Sequence, residues 1–337
     1  MKEARERYQL PSDVQHAASR KRKAGDGGGM TIDGLDDDIM RGGDLDEGDV
    51  ILWRGKHEGV CRRFRHAACV KLVREKVHAQ AGVVMEGMLS LTRQHEDRLK
   101  QERSVPLSVQ DVEAVVASMD SADKPTGGAG GSVKEVLRQL ADDSVELISR
   151  VGEGPGGVTY CINLKRIIEV IQLKELEAVV RERFGAAGCR VFRLLVLKRQ
   201  LEQKQIAEMA MIPTKETREL LYCLLKAEYV SLQEVAKTSD HAPSRTFYLW
   251  RVELGKVGSK LSGELYKAAS NLRTRLEHHF DEHAEVLRLL ESNLSGQAVT
   301  ITASQKRQLD SIKRIADVLQ SGLMRLDRLV MLFNDWA

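Results

Sequence analysis

Between Ala186 and Glu253 the apolar residues recur at helical spacing in three successive stretches and then gather in two strand-like runs rich in β-branched and aromatic residues. Few small folds accommodate that order. Val191, Leu194, Leu195 and Leu197 share one side of a first helix, and Ile206, Met209 and Ala210 mark a short second one. Pro213 ends the second helix, because proline has no backbone N–H to continue it. Thr214 is placed to cap a third helix, in which Leu220, Leu221, Leu224 and Leu225 form a stripe while Lys215, Arg218, Glu219 and Lys226 face away. After Tyr229, the runs Val230 to Val235 and Thr246 to Val252 are rich in β-branched and aromatic residues, and Lys237 to Arg245 carries the Pro, Ser and Asp of a hairpin loop. Helices followed by such a hairpin make a winged helix-turn-helix, a fold that binds DNA or docks partners and rarely does chemistry.

At 337 residues the chain has room for two or three domains. Its 52 basic and 49 acidic residues leave a formal charge of +3, so any nucleic-acid contact must come from local patches or a larger assembly. An aromatic fraction of 4% argues against a stacking platform for single strands, whereas 30% charged residues suits long exposed helices. Cys61, Cys69, Cys161, Cys189 and Cys223 form no C-x-x-C pair and are odd in number, the usage of a reducing compartment where thiols fill cores. No stretch approaches the ~20 apolar residues of a membrane span, and no signal-peptide core opens the chain. A soluble intracellular protein without membrane contact is expected.

Residues 1–50 form a disordered charged tail, with Arg20-Lys21-Arg22-Lys23 followed by a Gly run and an acidic stretch from Asp33 to Asp49. The four cations are compatible with a nuclear import signal. Residues 51–103 are mainly helical, through Val60, Phe64, Ala68 and Leu72 and then Val84, Met88 and Leu91. A second winged-helix pattern with a linking helix occupies 104–184. Ser108-x-x-Asp111 opens its first helix, Ser132-x-x-Glu135 reads as the capping box of its second, and a hairpin surrounds Gly152 to Gly157. The linking helix runs from Leu164 to Arg183, with Gly185 placed to end it, and the later winged helix takes 185–254. Over 255–337, Leu309, Ile312, Ala316, Leu319, Leu323, Leu326, Val330 and Phe333 alternate steps of three and four, a coiled-coil seam. Leu261, Leu265, Ala268, Leu272 and Leu276 give a looser match, and Ser295-Gly296 falls where a connection is needed. The simplest solution is an antiparallel helical hairpin, with a parallel homodimer as the alternative. The expected fold class is therefore mainly α with small β-hairpins, as tandem winged-helix domains followed by a helical hairpin.

Little in the sequence points to chemistry. The Gly152 to Gly157 tip lacks the lysine and following helix of a phosphate loop. His278, His279 and His283 share a helical neighbourhood, but no Cys lies nearby and H-E-x-x-H is absent, so a solvated face is favoured over zinc. There is no G-x-S-x-G, Cys/His nucleophile pattern or spaced acidic triad. No catalytic residue, metal, cofactor or small-molecule substrate is expected.

The run Leu201 to Ile206 through Met211-Ile212-Pro213, the segment Tyr229 to Thr238, and above all Asp240 to Leu249 closely resemble the 82-kDa/62-kDa-type subunit of RNA polymerase III. Ala178 to Gly185 and Tyr160 to Leu164 are similar to that family too, and the resemblance covers residues 50–337. It implies four extended winged helices with a C-terminal coiled coil. It also implies a non-catalytic nuclear subunit that joins two other polymerase III-specific subunits, sits on the clamp of the core and helps open promoter DNA at transfer-RNA and 5S genes. By the same resemblance the chain is N-terminally shortened, with 51–103 as the helical remnant of a preceding winged-helix domain.

If DNA is touched, the candidates are Lys215 and Arg218 at the start of the third helix and Lys237 and Arg245 on the wing, all able to meet phosphates. Phe247, Tyr248 and Trp250 alternate between core and partner-facing sides. The third helix lacks the Arg/Asn-rich face that reads bases. A second function class also stands at this point, a winged-helix scaffold of the proteasome-lid kind that binds no DNA, although such subunits place a helical-repeat array before a single winged helix.

Overall fold

The computed structural model describes residues 55–96, 98–119, 132–154, 157–237, 246–294 and 302–336. The charged tail with Arg20 to Lys23, the loop at 120–131, Arg245 with most of the wing loop, and Ser295-Gly296 lie outside the described residues. Residues from Lys56 onward form one contact unit, mainly helical with two small antiparallel sheets.

The first module starts from α1 (His57–Lys76) and α2 (Ala79–Thr92). Helix α2 is apolar on nearly every side, and a helix with no polar face belongs inside; Val83, Val84, Met85 and Met88 are fully buried. A Cβ added at Gly87 would stand 2.9 Å from Val116 Cγ2, so glycine is what lets α2 approach its neighbour this closely. There follow β1 (Leu107–Ser108), α3 (Val109–Ser118), α4 (Val133–Ala141), β2 (Ile148–Gly154) and β3 (Gly157–Ile162), in a sheet of order β1-β3-β2. Ser108 caps α3 by accepting the Asp111 N–H at 3.2 Å. Ser132 is the N-cap of α4, but its side chain makes no capping hydrogen bond. The expected box is absent: the Glu135 N–H donates to the Ser132 carbonyl at 2.9 Å rather than to its hydroxyl, and the Glu135 carboxylate lies 3.9 Å from Arg138. One core runs from Cys69 on α1 to Ile167 beyond β3, with α2 at its centre, so packing does not break near residue 103.

Helix α5 (Leu164–Lys198) is two helices joined at Gly185, whose φ of 73° and ψ of −174° are open essentially to glycine alone. Its second half begins the later module, continued by β4 (Gln200–Glu202), α6 (Gln203–Ala210), α7 (Thr214–Lys226), β5 (Ser231–Ala236) and β6 (Thr246–Arg251). The sheet order β4-β6-β5 repeats that of the first module. Pro213, rather than Thr214, takes the N-cap of α7, and Thr214 is its first helical residue, in keeping with a ring that fixes φ and has no N–H to satisfy.

The chain ends in α8 (Leu254–Glu282), α9 (Ala284–Leu294) and α10 (Ala303–Val330), with a π-helical turn at Met331–Asp335. A Cβ at Gly258 would meet Phe333 at 3.4 Å and one at Gly322 would meet Leu272 at 3.5 Å. Numbers rising on α8 pair with numbers falling on α10, so the hairpin is antiparallel and the seam is filled within one chain. Thr302 and Gln305 cap α10 reciprocally, at 2.9 and 3.4 Å. At the hairpin base, Val257, Leu261 and Leu265 enter the core of the second module beside Leu176, Phe192 and Tyr229. Arg183 locks this junction by pairing with Glu264 at 2.6 Å and donating to the Tyr229 hydroxyl at 2.9 Å. Burial raises the Tyr229 phenol above its ordinary value despite the neighbouring Arg183.

Candidate nucleic-acid interface

Helix α7 turns Thr217, Leu221 and Leu224 inward, which leaves Lys215, Arg218, Glu219, Tyr222 and Lys226 exposed on the opposite side. Among the described residues Lys215 and Arg218 make no ion pair. The outward face is mixed in sign, as its sequence requires. The turn before α7 places Met211 in the left-handed region, at φ 53° and ψ 48°, and leaves it 88% exposed. Its backbone N–H still returns to the carbonyls of Ala207 and Glu208, the arrangement of a helix C-cap where glycine is the usual residue.

Strands β5 and β6 form the base of the wing, with Val235 opposite Phe247 and Glu234 opposite Tyr248. Lys237, exposed at the end of β5, holds its ammonium 4.2 Å from the centre of the Phe247 ring, a cation–π contact. Arg245 is outside the described residues, so the structure shows three of the four candidate cations. Trp250 is buried and meets Tyr222 of α7 edge-on at 5.7 Å. Phe247 and Tyr248 are 40% and 39% exposed, so near the wing both strand faces reach solvent.

The corresponding surface of the first module differs. On α4, Lys134 lies 4.0 Å from Glu113 and Arg138 lies 3.9 Å from Glu135. On its hairpin, Arg150 meets Asp142 at 3.3 Å, and Lys76 of α1 meets Asp143 at 2.7 Å. Burial works against the Asp143 charge, but the hydrogen bond from Lys76 and that from the Val145 N–H hold its carboxyl below the usual range. Two modules of one topology thus differ in pairing, with the α4 cations beside carboxylates on the first and Lys215 and Arg218 of α7 without an ion pair on the second. Sequence reasoning missed this contrast, because the pairing partners lie on other elements.

Nothing among the described residues assembles a catalytic constellation. Cys69 is fully buried and its thiol is pushed up to about 12, chiefly by burial, which removes it as a nucleophile. A groove between α5, α8 and the C-terminal turn is lined by Val170, Leu173, Leu254, Tyr266 and Phe333 together with Arg166 and Glu169. Of the three sequence histidines, His279 and His283 come together with Glu282, and His278 does not join them.

Two modules of one winged-helix topology, braced by an antiparallel helical hairpin, define a tandem winged-helix protein. A sequence model of RNA polymerase III subunit RPC82 matches residues 3–171, and one for the C-terminal winged-helix domain of POLR3C matches residues 176–252. The chain belongs to this RNA polymerase III subunit family. The first match begins inside the charged segment at the N-terminus, which the sequence alone set apart from the family. Among relatives, the DNA-directed RNA polymerase III subunit RPC3 of Danio rerio is 33% identical over 310 residues, covering 86% of this chain and 55% of the relative. RPC3 of Rattus norvegicus is 31% identical over 311 residues, covering 86% and 56%. RPC3 of Dictyostelium discoideum is 30% identical over 284 residues, covering 82% and 42%. The chain spans about half the length of the curated relatives it matches.

Proposed function

We propose that this protein is a non-catalytic subunit of DNA-directed RNA polymerase III that acts in initiation and promoter opening at transfer-RNA, 5S ribosomal RNA and other small RNA genes. The observation that carries this reading is the alignment with polymerase III subunits over 86% of the chain. In this reading the second winged helix faces DNA near the promoter through Lys215, Arg218, Lys237 and Arg245, and the hairpin docks on the polymerase. Its partners are two other polymerase III-specific subunits and the clamp of the core, and its compartment is the nucleus. The domain plan is the one read from sequence, a charged tail at 1–50, a helical segment at 51–103, winged helices at 104–184 and 185–254, and the hairpin at 255–337. The one adjustment we favour is to assign α2 to the first winged helix, because it sits at the centre of that core. A lid-type scaffold is the weaker reading, since two modules of one sheet order stand in tandem here.

Affinity purification of the tagged full chain from nuclear extract, followed by mass spectrometry, tests the assignment. Recovery of polymerase III subunits is expected. Recovery of a lid-type complex without polymerase subunits would overturn it.

A further inference from the structure

We propose that the last turn of α8 is a binding site for a divalent first-row transition metal of the zinc class, held by His279, Glu282 and His283. Residues at i, i+3 and i+4 lie on one helix face, and the three side chains bring a ligand atom each to within 4.8 Å of one another. His283 Nδ1 stands 3.0 Å from the His279 carbonyl oxygen. A carbonyl only accepts, so Nδ1 carries the proton and Nε2 is left with a free lone pair. Metal-ligating histidines use this arrangement, in which a backbone carbonyl fixes tautomer and ring orientation.

His279 supplies the second, independent observation. Its Nε2 is shielded from solvent and has no hydrogen-bond partner. A buried polar atom left unsatisfied is costly, and in native proteins it commonly marks a water or ion. The two rings are tilted at 58° with their centres 4.8 Å apart, and exposed Glu282 completes the cluster. Tetrahedral zinc with bonds of ~2.0–2.1 Å needs its ligand atoms about 3.3 Å apart. The widest spacing, 4.8 Å at most, must therefore close by up to about 1.5 Å, through rotation of the three side chains. Two imidazoles and one carboxylate suit zinc-class ions, whereas calcium and magnesium demand oxygen ligands throughout.

The site lies where the helix axis breaks. His283 leaves helical geometry at φ −112° and ψ 19°, and α9 begins at Ala284. A bound ion would tie the final turn of α8 to the residue that makes the break and so fix the direction in which the hairpin continues. Three protein ligands leave one coordination position for water or for a donor from a neighbouring protein.

The test is a titration of the chelator-treated full chain with Co2+, read by visible d–d absorption, followed by displacement with Zn2+. A saturating tetrahedral-type spectrum is expected, and His279→Ala and His283→Ala should each weaken cobalt binding by ~10-fold or more. Glu282→Gln should weaken it less, and His278→Ala should leave it unchanged. Circular dichroism monitors the helix, with His279→Gln and His283→Gln replacing any alanine variant that loses it. Absence of the intensified spectrum, unchanged affinity in the His279/His283 double variant, or an equal loss in His278→Ala would each overturn the proposal.

Discussion

Arg65 and Glu96 face each other at 2.6 Å with side chains 0% and 1% exposed, and Arg65 also donates to the Leu99 carbonyl. A pair taken this far out of water contributes little net stability while intact, yet removing one partner strands the other charge in the core. Glu96→Ala should therefore lower the unfolding free energy by ~3–5 kcal/mol, measured by urea denaturation near neutral pH. Burial pushes the Glu96 carboxyl up, but the His66 hydrogen bond and the charges of Arg65, His66 and Arg62 outweigh it and leave it below the ordinary 4.5. A carboxyl lowered in the folded state adds stability above its unfolded value and loses it as pH falls through the folded value. The gap between wild type and Glu96→Ala should accordingly narrow on acidification below pH 4.5. None of this was legible in sequence, where Arg65 sits among Arg62, Arg63 and His66 like any solvated helix charge. Lys215 and Arg218 were legible, because a strict leucine stripe fixes which residues point out. The Phe247 partner of Lys237 was not, since it depends on strand register across the wing.

At the scale of elements, Gly185 does the most to set the architecture. Its φ of 73° and ψ of −174° redirect a 35-residue helical run between the two modules. A Cβ there would meet nothing within 4 Å, so a substitution is opposed by backbone strain alone. Gly185→Ala should cost ~1–3 kcal/mol in thermal or urea unfolding, with both modules retaining their helix content by circular dichroism. The reading of Gly185 as a helix stop came directly from sequence, as did the capping of α3 by Ser108. Helix α2 was legible as a segment through Val84, Met88 and Leu91 at helical spacing, whereas its place inside the first core was not, because the partners it packs against lie on other elements. The Ser132 box failed for a different reason. The Glu135 N–H bonds the Ser132 carbonyl rather than its hydroxyl, a choice that spacing alone does not fix.

Across the whole molecule, the second module and the hairpin base share one core in which Leu261 of α8 packs with Phe192, Leu195 and Tyr229. Leu261→Ala should cost ~2–5 kcal/mol, and hydrogen exchange should then rise in α8 and in the second module together, because the lost contacts belong to both. Exchange confined to α8 would show that the hairpin is an independent appendage. This shared core also fixes the exposed face of α7, with Lys215 and Arg218, relative to the hairpin base. The contrast between unpaired cations on α7 and paired cations on α4 motivates the proposal that the second module is the one that meets phosphate. The direct measurement is the salt dependence of promoter-DNA binding by polymerase III assembled with this chain. With Lys215→Ala and Arg218→Ala combined, the slope of log K against log salt should fall by ~1 to 2, whereas Lys134→Ala with Arg138→Ala should leave it unchanged. An unchanged slope for the α7 pair, or an equal fall for the α4 pair, would contradict the account.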